Sequence, residues 1–231
     1  MPINNYDGDT FVAFLDISGF KELMRNEKEA WKALDKLYQH GYEILRNQNN
    51  ECRVEGIFIS DSGVLFVRRN NRILGNSESL RLLLIMIKKI NERMRESDFM
   101  LTTSIAYGKF RYQERIEFEG IEKNPIYGNA YVSAFLDNEN GKPKIQPGQC
   151  RIVKENLPDD VTLTTQQSQD NDVFRMVRER NGDNKHYYYY WMVNEPSEIT
   201  RFEQDYKDAY NLKYAGILKA LKGDRPECHI R

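Results

Sequence analysis

Two aspartates carry most of the chemical promise in this chain. Phe11-Val12-Ala13-Phe14-Leu15 is an unbroken apolar run that ends on Asp16, and Asp61 lies forty-five residues on, within Ser60-Asp61-Ser62-Gly63. A carboxylate that closes a buried run needs a partner, because an isolated charge is costly away from water. Two carboxylates brought together repel, and a hard divalent cation between them, Mg²⁺ or Mn²⁺, is the natural remedy. Two such ions can polarise a phosphate, lower the pKa of an attacking hydroxyl and neutralise a departing pyrophosphate. The turn Ser18-Gly19-Phe20 directly follows Asp16. Its backbone amides, opening into a helix, offer a partly positive cradle for phosphate oxygens, and Gly19 permits close approach. The bland reading is a solvated turn acid followed by an ordinary helix start with serine as its first residue.

Both acids must be delivered by the elements around them. The run 11–15 reads as a strand buried on both faces, and residues 52–59 and 62–68 as a hairpin whose turn holds Asp61. Trp31, Leu34, Tyr38, Tyr42 and Leu45 recur at helical spacing and predict an amphipathic helix ended by Asn47 to Asn50. Leu80, Leu83, Leu84, Ile87 and Met94 mark a second helix over Ser79 to Met94, and Met100 to Tyr107 a strand closed by Gly108. The order strand, helix, hairpin, helix, strand suits an α+β arrangement, a mainly antiparallel sheet with flanking helices. If the strands of the two acids pair as sequential elements often do, Asp16 and Asp61 meet.

Further along, residues 110–119 read as a protruding arm, Gly128 to Leu136 as a short helix, and Arg151-Ile152-Val153 as a strand. Thr162 to Asp172 is a polar connection, Val173 to Val177 and Tyr187 to Val193 are strand-like around Asn181-Gly182-Asp183, and a helix is expected from about Glu198 to Leu221. No repeat or boundary divides residues 1–231, which are taken as one domain with a C-terminal strand and helix extension.

Composition narrows the partners. Thirty-four basic against 35 acidic residues leave a formal charge of -1, which favours neither nucleic acid nor an anionic membrane. No apolar run approaches the roughly 20 residues that span a bilayer. Cys52, Cys150 and Cys228 are odd in number and widely spaced, which speaks against a disulfide framework or a zinc site and for a reducing cytoplasm. His40, His186 and His229 are scattered, with no metal or nucleophile-base role expected. Lys109, Arg111, Arg115 and Lys123 near the arm, and Arg151 beyond it, are either ordinary surface charge or reach toward a triphosphate.

The words around the acids go further. Phe11-Val12-Ala13-Phe14-Leu15-Asp16-Ile17-Ser18-Gly19-Phe20-Lys21 resembles the opening metal and phosphate motif of class III nucleotide cyclases, a hydrophobic strand running into Asp-Ile-x-Gly-Phe. Phe58-Ile59-Ser60-Asp61-Ser62 resembles their second metal motif, with serine where glycine is usual before the aspartate, and Ile126-Tyr127-Gly128-Asn129-Ala130 resembles the segment that opens the helix after the arm. The matches fall in family order over roughly residues 10–140, and the first is the specific one. The resemblance implies a ferredoxin-like cyclase domain that forms a head-to-tail homodimer with active sites at the subunit interface. It implies that Asp16, Asp61 and the Ile17 carbonyl ligate two Mn²⁺ or Mg²⁺ ions, that Ser18, Gly19 and Phe20 hold phosphate, and that a nucleoside triphosphate becomes its 3′,5′-cyclic monophosphate plus pyrophosphate.

The base side departs from the purine enzymes. The lysine that reads a purine four positions before the second aspartate is replaced by Ile57, so Ile57 and Phe58 become the base-pocket candidates, and Val132 and Leu136 stand where an asparagine and an arginine are usual. Pro125 to Asp137, with Pro147-Gly148-Gln149-Cys150-Arg151-Ile152-Val153, is similar to the pyrimidine cyclases of bacterial Pycsar anti-phage systems. That likeness implies UTP, with CTP second, as substrate and cUMP or cCMP as a messenger for a separate effector protein. A purine cyclase, a catalytically degenerate nucleotide-binding sensor and a protein-interaction module stay open as alternatives.

Overall fold

The computed structural model of the chain describes residues 4–48, 52–69, 75–113, 115–118, 121–123, 125–161, 163, 173–210, 217–218 and 222. Strand β1 (Tyr6–Ile17) leads through a single helical turn, α1 (Phe20–Leu23), into the long helix α2 (Glu27–Arg46). The hairpin β2 (Cys52–Ile59) and β3 (Ser62–Arg69) follows, then helix α3 (Asn76–Glu96) and strand β4 (Leu101–Tyr112). Short strands β5 (Arg115–Phe118), β6 (Ile121–Lys123) and β7 (Ile126–Tyr127) precede helix α4 (Asn129–Asn140) and strand β8 (Cys150–Val153). The chain closes with β9 (Val177–Arg180), β10 (Asp183–Tyr189) and helix α5 (Ile199–Tyr210).

The main sheet runs β2-β3-β1-β4-β8-β10-β9, antiparallel at every step except the parallel β4–β8 pair, with β7 added to the far end of β4. β1 therefore lies between its hairpin neighbour β3 and β4, as the pairing of sequential elements requires. Alternation along β1 divides the core in two. Phe11, Ala13, Leu15 and Ile17 pack with Leu37 of α2 and Leu80, Leu84 and Ile87 of α3. Val12 and Phe14 point to the other face, toward Ala130 and Ala134 of α4. Asp16 continues that second row.

Several sequence expectations shift on contact with packing. The buried stripe of α2 is Ala30, Ala33, Leu37, Gly41 and Leu45, whereas Trp31 is 70% and Tyr42 50% exposed. The helix sits so close to the sheet that the Phe58 ring occupies the place of a side chain on Gly41, where an added Cβ would come within 2.2 Å of it. Small residues permit that approach, and the large aromatics turn outward. β4 runs on through Gly108 to Tyr112 instead of ending there, and α4 extends a turn past Leu136. Val173–Met176 is a 3₁₀ turn, with the strand beginning only at Val177. The polar connection expected over 162–172 lies, apart from Leu163, outside the described residues, as does most of the terminal helix beyond Tyr210. Cys52 and Cys150 are both buried. Among the described residues no helix is long and apolar enough to cross a membrane.

Candidate active site

The register of three strands builds the site. Asp16 stands opposite Ser62 on β3 and opposite Thr102 on β4. Ser60 and Asp61 make the two-residue turn between β2 and β3, with Ser60 in the left-handed region at φ 55. The Ile17 amide donates to the Asp61 carbonyl at 3.0 Å, so the turn is stitched to the end of β1 and the two acids are neighbours. The Ser62 hydroxyl donates to Asp16 Oδ1 at 3.2 Å.

Electrostatics follow from that juxtaposition. Burial first, and then the Asp61 carboxylate, push the Asp16 carboxyl up to about 7; the Ser62 hydrogen bond opposes them, and Glu139 on α4 adds a smaller push upward. A carboxyl held near neutrality by a second carboxylate is stabilised in its ionised form by a cation placed between them. The donor chemistry, two carboxylates at a strand end, fits a hard ion that keeps water or phosphate as its remaining ligands. Among the described residues no three acidic, imidazole or thiol groups converge into a closed metal cage. Ile17 is fully buried in the opposite core, so only its backbone can take part.

The phosphate candidates divide. Ser18 is 4% exposed and its amide is already given to the Met100 carbonyl at 2.9 Å, which removes it from the cradle. Gly19, in the left-handed region at φ 74, opens α1, and the amides of Gly19 and Phe20 have no acceptor among the described residues. The base-pocket candidates divide as well. Ile57 pairs with Val64, which pairs with Phe14, so it lies on the face of Asp16. Phe58 points to the other face, is 5% exposed and packs over Gly41, Gly56 and Gly63. It is a core residue and leaves the pocket. Ile59, 60% exposed and paired with Ser62, shares the face of Asp16 and was not singled out from the sequence.

α4 contributes what sequence reasoning missed. Its last turn crosses the sheet beside Asp16: Asn138, 6% exposed, accepts a hydrogen bond from Thr102 at 3.0 Å. Asp137 accepts from Arg151 Nε at 2.7 Å and Nη2 at 2.8 Å, from His186 Nε2 at 2.8 Å, and from Ser104. His186 Nδ1 meets Asp183 at 2.8 Å, and Tyr188 donates to the same carboxylate at 2.6 Å. Arg151, expected to be surface charge or a phosphate contact, is fully buried in this network, and His186, 2% exposed, is anything but isolated. Neither was visible as a pair, since thirty-five residues and a turn separate them. Lys109 and Arg111 are half-exposed and paired with Asp7 at 3.1 and 2.9 Å, and Arg115 faces Lys123 in the β5–β6 register.

No family model and no curated protein matches the chain. Solved structures do. An adenylyl cyclase from P. aeruginosa superposes with a TM-score of 0.52 over 66% of this chain and 80% of its own, at 14% identity. A guanylyl cyclase gives 0.53 over 80% of this chain and 92% of its own, at 12% identity. The monomeric guanylyl cyclase domain of the RhoGC fusion protein from the aquatic fungus Blastocladiella emersonii gives 0.53 over 80% and 94%, at 12% identity. The chain thus has the class III cyclase fold, a mainly antiparallel sheet flanked by helices.

Proposed function

We propose that this chain is a nucleotide cyclase, converting a nucleoside triphosphate to its 3′,5′-cyclic monophosphate and pyrophosphate. The observation that carries the reading is the meeting of Asp16 and Asp61 at the end of β1, stitched by the Ile17 to Asp61 hydrogen bond and followed directly by the open amides of Gly19 and Phe20. The two carboxylates and the Ile17 carbonyl would hold two Mn²⁺ or Mg²⁺ ions, which when bound acidify the 3′-hydroxyl and neutralise the leaving pyrophosphate. Asp16, whose carboxyl is pushed up to about 7 by burial and then by Asp61, would be held in its ionised form by an ion bound there. The Gly19 and Phe20 amides orient the phosphate chain, and Asp16 on β1 fixes the reacting end against it.

For the base, the reading is a pyrimidine, UTP before CTP. Its support is Ile57, an apolar side chain on the face of Asp16 where a purine-reading lysine would stand. A purine substrate is favoured by the names of the superposing structures, which are adenylyl and guanylyl cyclases. In the pyrimidine reading the product is a defence messenger in the cytoplasm for a separate effector, and one catalytic domain pairs with a second copy to complete each site. Incubation with Mn²⁺ and each of ATP, GTP, CTP and UTP, with products resolved by mass spectrometry, tests it. Cyclic UMP or CMP supports the pyrimidine reading; cyclic AMP or GMP replaces it with the purine one. Binding without turnover makes the chain a sensor.

A further inference from the structure

The two ends of α4 are held differently. Over its first turns the grip is apolar: Ala130 and Ala134 are buried, Tyr131 and Phe135 pack against the same core, and the Phe135 ring meets that of Phe14 edge-on with centroids 5.2 Å apart. From Asp137 to Asn140 the helix has no apolar residue. That C-terminal end is gripped by charge. The Arg151 guanidinium, from β8, forks onto the Asp137 carboxylate, caps the Asp137 carbonyl at 2.6 Å and reaches the Pro143 carbonyl at 2.5 Å. His186, from β10, reaches the same carboxylate through Nε2 and Asp183 through Nδ1. Both ring nitrogens thus lie within hydrogen-bond distance of a carboxylate, one on each side of the ring. Gly141 leaves the room that the guanidinium fills: a Cβ there would fall 2.2 Å from Arg151 Nη2.

The grip ends where the chemistry begins. Asn138, the next residue, accepts from Thr102, the direct cross-strand partner of Asp16. We propose that Arg151 and His186 are positioning residues, which by holding Asp137 from two strands fix the last turn of α4 against the Asp16 end of the sheet. The inference rests on the reading of Asp16 as part of a cyclase site. Loosening that turn leaves Asp16 in its paired strand but frees the wall beside it, Asn138 on Thr102, and a shift of part of an ångström there costs about tenfold where about 1 Å at a reacting centre costs on the order of a hundredfold. The cradle at Gly19 and Phe20 belongs to other elements and keeps its geometry, so the loss falls on kcat and not on KM.

The test compares wild type with His186→Gln, which can serve only one of the two carboxylates, and Arg151→Lys, which keeps the charge and lacks the fork. Amide hydrogen exchange and steady-state kinetics are measured well below the melting temperature of every variant. In both, exchange at residues 134–141 is expected to quicken about tenfold or more while residues 12–16 and 63–66 stay protected. kcat is expected to fall about tenfold with KM within twofold. Unchanged or evenly spread exchange overturns the proposal, as does local loosening with kcat intact. If wild type turns over no triphosphate, the cyclase reading fails on its own account, and the exchange pattern still decides whether the grip exists.

Discussion

Asp61 and Arg151 show how differently two charged residues can be committed to a fold. The Asp61 side chain has no hydrogen-bond partner among the described residues; what ties residue 61 down is its carbonyl, taken by the Ile17 amide. Asp61→Ala is therefore expected to unfold with a free energy within about 0.5 kcal/mol of wild type. The same variant should lose Mn²⁺ binding, followed by electron paramagnetic resonance, and cyclase turnover by at least about a hundredfold. A variant that keeps turnover would remove Asp61 from the metal site. Arg151 is the opposite case, buried and fully partnered, and Arg151→Met strands the Asp137 carboxylate. Breaking a buried pair on one side costs about 3–5 kcal/mol, readable in a guanidinium melt; a cost under about 1 kcal/mol would show the pair to be incidental.

The elements are fixed at a few positions where only glycine fits. Gly128 opens α4 at φ 127, and a Cβ there would lie 2.2 Å from the Lys109 carbonyl oxygen, which is backbone and cannot yield. Gly182, in the β9–β10 turn, sits at φ 84 with nothing within 4 Å. Gly182→Ala should cost about 1 kcal/mol, the conformational penalty alone, and Gly128→Ala clearly more, because a steric clash is added to the strain. Equal melting temperatures for the two would refute the steric argument. This contrast also marks what the sequence could disclose. The hairpin around Asp61, the β1 strand into Asp16 and the glycine turn were legible because apolar runs and turn residues encode them locally. The inward face of α2 was not: the aromatic stripe is the stronger periodic signal, and only the closeness of Phe58 to Gly41 selects the alanine face instead. Phe58, expected in the base pocket, belongs to the core for the matching reason, that a strand's two faces cannot be assigned until its partners are known.

Across the whole molecule the polar grip runs from α4 through β4 and β8 to β10, and it makes a statement about acid. Burial alone would raise Asp137, but hydrogen bonds from His186, Ser104 and Arg151 together hold its carboxyl below the ordinary value. Asp183 follows the same pattern: burial pushes up, and Tyr188, His186 and the Lys185 amide together pull it lower. A carboxyl whose folded pKa lies below its unfolded one binds protons more readily in the unfolded chain. Its contribution to stability is therefore complete above the ordinary aspartate value of about 3.9 and is lost as pH falls through that value toward the folded one. Asp137→Asn removes one such contribution. The destabilisation by this variant should amount to about 2–4 kcal/mol at pH 7, persist to about pH 5 and shrink steadily toward pH 3, where wild type has surrendered the same advantage. Asp16, shifted in the opposite direction, is common to both proteins and cancels in the difference. Guanidinium melts of the pair at pH 7, 5, 4 and 3 measure it. A difference that stays constant across that range would mean that the Asp137 carboxylate charge contributes nothing, and that shape alone holds α4 to the sheet.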